Sequence, residues 1–220
     1  MVGFEEGYEF FRKNASGFVG ADMGDSYIKT INTEINQTVN DLNSLEGFST
    51  ASKVLKGDVA EFWHSGTFNI DAAVKGSSDR AFVDRSHDFA STDVSTNFGD
   101  RYGLKYYSDG QASAKAQAVS VFQRFKEYQS KGGTDSLDVF LQKRGYSDID
   151  SVLNDPIYAG QLRLIPRDQL EEATKWLERM IKTEAARRPE QVHRYEETLA
   201  LLRDRLSNDK GVESIPLSRE

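Results

Sequence analysis

Cysteine is absent from all 220 residues. That one gap excludes disulfides, zinc–thiolate centres and cysteine nucleophiles together. No apolar run approaches the roughly 20 residues that a membrane-spanning helix needs, so no membrane association is expected. The opening residues, MVGFEEGYEF, carry acids where a secretory leader has a basic segment and an apolar core. A cytoplasmic setting is therefore expected. Net positive charge is lacking as well: 28 Lys and Arg stand against 35 Asp and Glu, a balance of −7. This disfavours a broad basic face for sequence-independent nucleic-acid binding. It leaves room for a small acidic metal site that engages phosphates locally. No G-x-x-x-x-G-K-[ST], G-x-G-x-x-G or H-E-x-x-H pattern occurs, so nucleotide-loop and zinc-protease readings have no support. A hydrolase triad can be assembled on paper from Ser86, His87 and Asp93. Without a G-x-S-x-G elbow, and with Ser86 and His87 adjacent, it has no workable geometry. Internal repeats and low-complexity tracts are missing too.

What is present suffices for a real core: 38% apolar and 11% aromatic residues, in a length that fits one domain with an appendage or two small ones. The most regular pattern is Ser91–Tyr107, STDVSTNFGDRYGLKYY. Thr92, Val94 and Thr96 alternate with polar residues, and so do Tyr102, Leu104 and Tyr106, which predicts two strands. Phe98-Gly99-Asp100 supplies the tight turn between them. Arg80–Arg85 predicts a preceding strand, so a three-stranded meander is expected over Arg80–Arg85, Ser91–Asn97 and Arg101–Tyr107. Asp93 and Lys105 are the polar exceptions in these β-rich runs, facing the same way from neighbouring strands.

Helices are expected on both sides of the meander. A short one spans about Glu5–Lys13, followed by a break at Gly17, Gly20 and Gly24. A longer helix then starts at an Asp25-Ser26 cap, carries the apolar stripe Tyr27, Ile28, Ile31, Ile35, Val39 and Leu42, and ends at Gly47. The stripe predicts packing on the main domain, or a partner helix or self-association. Ser49-Thr50 caps a helix over about Ala51–His64, with Glu61 beside Phe62-Trp63 near its end, where the macrodipole disfavours a carboxylate. Thr67–Lys75 fits a short strand, or a helix capped by Thr67 or Asn69. The connector Ser86–Phe89 carries His87, one of three histidines. Beyond the meander, Gln111–Ser130 predicts one helix with Ala114, Ala118, Val121, Phe122, Phe125 and Tyr128 inward. Residues 134–155 read as a helical insertion with pieces at Ser136–Lys143 and Ile149–Leu153. A strand over Gly160–Pro166 and helices over Gln169–Ala186 and about Glu190–Leu206 complete the order. The polar residues 208–220 read as a linker or tail, which makes the chain the expected front part of a longer protein.

The order helix, three-stranded meander, helix, strand, helix over Ala51–Ala186, with an acid on the second strand and a lysine on the third, resembles the PD-(D/E)XK nuclease-like superfamily. The resemblance implies an α+β, restriction-endonuclease-like core, αβββαβα, with a mixed sheet of about four strands. Residues 1–48 would form a helical arm, 49–188 the core, 189–207 a C-terminal helix and 208–220 a linker or tail. It implies that Asp93 and Glu61 hold a divalent metal, expected to be Mg²⁺, and that Lys105 positions or activates the attacking water. Gln111, Lys115 and Gln117 occupy the helix that often lends a Gln or Lys to the pocket, and His87 lies close by in sequence. The resemblance departs at Gly103, two residues before the lysine, where the family carries a carboxylate. The implied activity is metal-dependent hydrolysis of DNA or RNA phosphodiesters, in a mobile-element, toxin or defence-type protein. The alternative is a catalytically inactive nuclease-like scaffold that binds another protein.

Overall fold

The computed structural model describes residues 2–45, 52–85, 90–144, 146 and 157–219. Two long helices come first, α1 (Val2–Asn43) and α2 (Ser52–Val74). Strands β1 (Ala81–Val83), β2 (Val94–Thr96) and β3 (Arg101–Leu104) follow. Helices α3 (Gly110–Gln117), α4 (Val121–Ser130) and α5 (Leu137–Gln142) lead to β4 (Leu162–Leu164). The chain then forms α6 (Leu170–Arg187), α7 (Val192–Leu201) and β5 (Leu202–Arg203). The described residues thus form an α+β fold of seven α-helices and one five-stranded sheet, ordered β1-β2-β3-β4-β5. The first three strands pair antiparallel, and β4 and β5 join in parallel.

Both faces of the sheet are covered. Ala60, Phe68 and Ala72 of α2 pack on Val94, Tyr102, Leu104 and Leu164 from one side. On the other, Ala114 and Ala118 of α3 meet Ile165, Ala173, Trp176, Leu177 and Leu202. The small residues of α3 let its backbone lie close to the sheet, as their spacing predicts. A third cluster, Val121, Phe125, Phe140, Leu141, Ile157 and Tyr158, sits under α4 and α5.

Several boundaries differ from expectation. Gly17, Gly20 and Gly24 do not break α1, which is one helix of 42 residues. Glycine costs about 1 kcal/mol in a helix interior, a penalty that lowers helicity without ending a helix. The expected stop at Gly47 lies outside the described residues. Thr67–Lys75 is helical through Val74, so α2 ends ten residues later than expected. Thr67 is no cap there: its hydroxyl donates to the Trp63 carbonyl at 2.7 Å. Asn69 of α2 then accepts from the Ala81 N–H at 2.8 Å and donates to the Ala81 carbonyl at 3.0 Å, fixing the edge strand β1 to the helix. The Gln111–Ser130 helix is split at Ser120, whose Oγ caps α4 by accepting from Gln123 N–H, and Phe122 is exposed. The piece expected at Ile149–Leu153 lies outside the described residues.

At the C-terminal end the sheet has five strands, not four, because α7 stops at Leu201 and the next two residues pair with β4. Residues 208–219 are no loose tail: Val212 and Ser214 are buried, and Trp63 Nε1 donates to the Ile215 carbonyl at 2.8 Å. The face of α1 that packs is also rotated from the predicted stripe. Thr38 is buried against Gly66, where any Cβ would collide with it. Glu34 pairs with Arg80 at 2.9 Å, and Tyr27 donates to the Val74 carbonyl at 2.7 Å. Ile28, Ile35 and Val39 are left exposed. Among the described residues no helix is long and apolar enough to cross a membrane.

Fully buried His64 ties the C-terminal segment to the sheet. Its Nδ1 lies 2.8 Å from Ser214 Oγ and its Nε2 2.7 Å from Tyr106 Oη. Burial pushes its pKa down to about 4, against a slight upward pull from Asp204. Between pH 6.5 and 4 the unfolded chain therefore binds this proton before the folded one, and stability falls with acidification. At 1.36 kcal/mol per pKa unit the loss is about 3 kcal/mol. Urea unfolding at pH 7 and pH 4 should show it, and His64→Gln should flatten that part of the slope.

Candidate functional site

The register places the site. Val94 pairs with Tyr102, and Asp93 stands just before it, at the end of that ladder. Tyr102 and Leu104 point into the α2-side core, and alternation turns Gly103 to the other face, while Lys105, one residue past the strand, shares a cleft with Gly57 of α2 and Lys115 of α3. Asp93 immediately precedes β2 and Lys105 immediately follows β3, one residue beyond the regular strands on which they were expected. The ladder continues through both: Asp93 N–H donates to Tyr102 at 3.0 Å and Lys105 N–H to Leu164 at 3.0 Å.

Asp93 Oδ2 accepts from the Leu104 N–H at 2.6 Å and from Lys105 Nζ at 3.3 Å. The ammonium also donates to the Leu104 carbonyl at 2.8 Å and stands 4.7 Å from the Tyr158 ring centroid. Burial lowers the Lys105 pKa, but Tyr158, Asp93 and Tyr107 outweigh it, and the net shift is upward. Lys105 stays charged. The two side chains retain 17% and 22% of their exposure, so both remain reachable from solvent.

Glu61 joins this pair from α2. Because the helix runs on to Val74, Glu61 sits in its interior and the macrodipole argument does not apply. Its carboxyl is pushed up to about 8, first by burial, then by Asp93 and Asp58, with Lys105 and Arg85 pulling down. A surface carboxylate would show no such shift. Near neutral pH Glu61 is mostly protonated.

Lys105 opens onto a cleft of about 930 Å³. Its walls carry Lys115, Arg124 and Arg219 as well, with Glu127 the one acid among the described lining residues. Arg124 donates to Glu127 at 2.7 Å. The Nε of Arg219 is buried without a partner. The cleft is thus locally cationic on a chain of net charge −7. Asp93 and Glu61 are not among its lining residues.

Of the other predicted residues, Lys115 reaches the cleft, Gln111 is exposed and does not, and His87 lies outside the described residues. Gln117 is fully buried and donates to the Gly103 carbonyl at 2.7 Å. Two contributors had no local signal. Tyr158 stacks on Lys105, and Gln161 donates to the Ala90 carbonyl at 2.9 Å. Ala90 holds a left-handed φ of 57°, a conformation that costs an alanine about 1 kcal/mol or more. The structure also accounts for Gly103. A Cβ there would lie 3.0 Å from Gln161 Oε1 and 3.8 Å from Gln117 Oε1, so a side chain at 103 requires Gln161 to shift.

Among the described residues no group of three His, Asp or Glu side chains could hold a metal ion. Asp93 and Glu61 offer two carboxyl groups, and the buried Gln117 and Gln161 carbonyl oxygens lack hydrogen-bond partners. The two carboxyl groups are of the hard-oxygen kind that Mg²⁺ or Mn²⁺ takes. No family model matches the chain, and no curated protein and no solved structure matches it either.

The Glu61 shift has a pH signature opposite to that of His64. Its folded pKa lies above the unfolded value of 4.5, so its contribution is full below about pH 4.5 and is lost as pH rises through 8. The upper bound is about 5 kcal/mol at 1.36 kcal/mol per unit. Denaturation of Glu61→Gln across pH 5–9 should lack this alkaline loss.

Proposed function

We propose that the chain is a metal-dependent phosphodiesterase domain of PD-(D/E)XK type acting on DNA or RNA. The carrying observation is Lys105 in the wall of a cationic cleft, ion-paired to Asp93 and electrostatically coupled to Glu61. The element order supports the same reading: a helix, three antiparallel strands, a helical segment and a parallel strand followed by a helix.

Asp93 and Glu61 would hold the metal. A divalent cation bound there supplies a Lewis acid for the phosphodiester and a water of lowered pKa. The chain's own groups do the rest. The Leu104 N–H orients the Asp93 carboxylate before substrate arrives. Lys105 is charged, shielded and held by two oxygens and an aromatic face. Its ammonium donates to a phosphate oxygen and stabilises the charge that grows there during attack. Lys115, Arg124 and Arg219 bind the flanking phosphates, which confines nucleic-acid contact to the cleft and spares the acidic surface. Glu61 releases its proton when the site is loaded, so metal affinity should rise with pH towards 8.

The second reading, a catalytically silent scaffold, draws on two observations. Lys105 already contacts Asp93 directly, and α1 exposes Ile28, Ile35 and Val39 to a protein partner or a second copy. Calorimetric titration of Mg²⁺ and Mn²⁺, run beside plasmid and oligonucleotide cleavage, separates the two. The nuclease reading expects metal binding and cleavage, both lost in Asp93→Ala. Lys105→Ala should keep metal binding and lose about 10²–10³ in rate. Lys115→Glu and Arg124→Glu should each weaken oligonucleotide binding and reduce its salt slope by about 1. A wild type that binds no metal and cleaves nothing supports the scaffold.

A further inference from the structure

The cleft beside Lys105 also holds an aromatic ring. Tyr107 lines it and is 50% exposed. Its backbone is fixed by a closed circuit of three hydrogen bonds. The Tyr107 N–H donates to Ser113 Oγ at 3.1 Å, that hydroxyl donates to Gln169 Oε1 at 2.7 Å, and Gln169 Nε2 donates to the Tyr107 carbonyl at 3.0 Å. Ser113 is fully buried and Gln169 nearly so. The ring therefore stands on a rigid base, and ordering its two χ angles on binding costs little entropy. A half-exposed ring adds little to the core. What it adds to the cleft is a flat apolar face.

The other lining residues supply two kinds of surface. Ala112, Ala116 and Val119 are small and apolar, and a Cβ at Gly57 would meet nothing within 4 Å. Lys105 and Lys115 are cationic. The cleft thus combines an aromatic face and apolar room with charges that suit phosphates.

Only an unpaired strand can use both. In a duplex the bases stack on one another and show only their edges, in a major groove about 12 Å wide and a minor groove about 6 Å wide. A single strand can splay a base out onto an aromatic side chain, and such stacking accepts any base because each has a π-face. The volume agrees. About 930 Å³ falls within the range of about 300–1,000 Å³ for pockets that enclose small ligands, which leaves room for a short piece of one strand and not for a double helix.

We propose that the cleft takes single-stranded nucleic acid, one base stacking on the Tyr107 ring while the phosphates beside it pair with Lys105 and Lys115. The proposal rests on the nucleic-acid reading of the cleft and adds to it the strand state of the substrate.

The test is fluorescence anisotropy on the full chain in chelator, so that no metal-dependent cleavage occurs. Three labelled probes of equal length serve: a single-stranded oligonucleotide, its duplex, and an abasic strand that keeps the phosphates. The single strand should bind about tenfold tighter than either of the others, within the range that one stacked base supplies. Tyr107→Ala should weaken the single strand by about the same factor and leave the abasic strand unchanged, a selective loss that misfolding cannot produce. Tyr107→Phe keeps the ring and should bind as the wild type does. If the duplex binds as tightly as the single strand, if Tyr107→Ala weakens the abasic strand equally, or if no strand binds, the proposal falls. Cleavage by the wild type in Mg²⁺ or Mn²⁺ decides the nuclease reading separately. Cleavage with no preference for the single strand leaves that reading standing alone. Single-strand binding through Tyr107 without cleavage leaves the binding cleft and removes the enzyme.

Discussion

Strand β3 fixes everything around it, because its two faces carry different work. Tyr102, Leu104 and Tyr106 enter the α2-side core, while Gly103 faces Gln117 and Gln161 in the opposite layer. A slip of one residue would exchange the two sets. The magnitudes say which set holds the register. Burying a large apolar side chain is worth about 1.5–3 kcal/mol, and Tyr106 adds its bond to His64. The part-exposed Asp93–Lys105 pair is worth about 1 kcal/mol or less. The core positions the site; the ion pair does not position itself.

Charge operates on two length scales in this chain. The balance of −7 opposes long-range attraction of nucleic acid, yet the Debye length in physiological salt is only about 8 Å. Remote acids are therefore screened from a phosphate inside the cleft, where Lys105, Lys115, Arg124 and Arg219 act at close range. An acidic protein with a cationic cleft would bind nucleic acid only where the strand can enter. Such a surface selects by shape and access more than by general attraction.

What could be read from the sequence was whatever repeats with a short period. Asp93 and Lys105 were legible because a two-residue alternation assigns faces even where strand ends are uncertain. The α3 alanines were legible for the same kind of reason. Glu61 was found, but its setting was misjudged, since Thr67 looked like a boundary and is only an inward-bonded hydroxyl within α2. The packed face of α1 is set by one close approach, Thr38 on Gly66, and by the Glu34–Arg80 pair. Both are tertiary facts that outweigh an isoleucine stripe. β5 is two residues long and continues a leucine pattern that reads as helix. The residues after it are polar in composition, but they are anchored by backbone hydrogen bonds, which composition does not report.

Gly103 shows how far one position can mislead when taken alone. Beside the lysine it looks like a lost ligand. In the fold it is one part of a linked arrangement with Gln161 and Ala90. The Gln161 amide nitrogen holds the carbonyl of left-handed Ala90, and its oxygen occupies the space that a side chain at residue 103 would need. An acid at 103 would press on Gln161, whose amide nitrogen holds the Ala90 carbonyl. Conversely, shortening Gln161 would open a buried gap beside an already unpaired Gln117 oxygen.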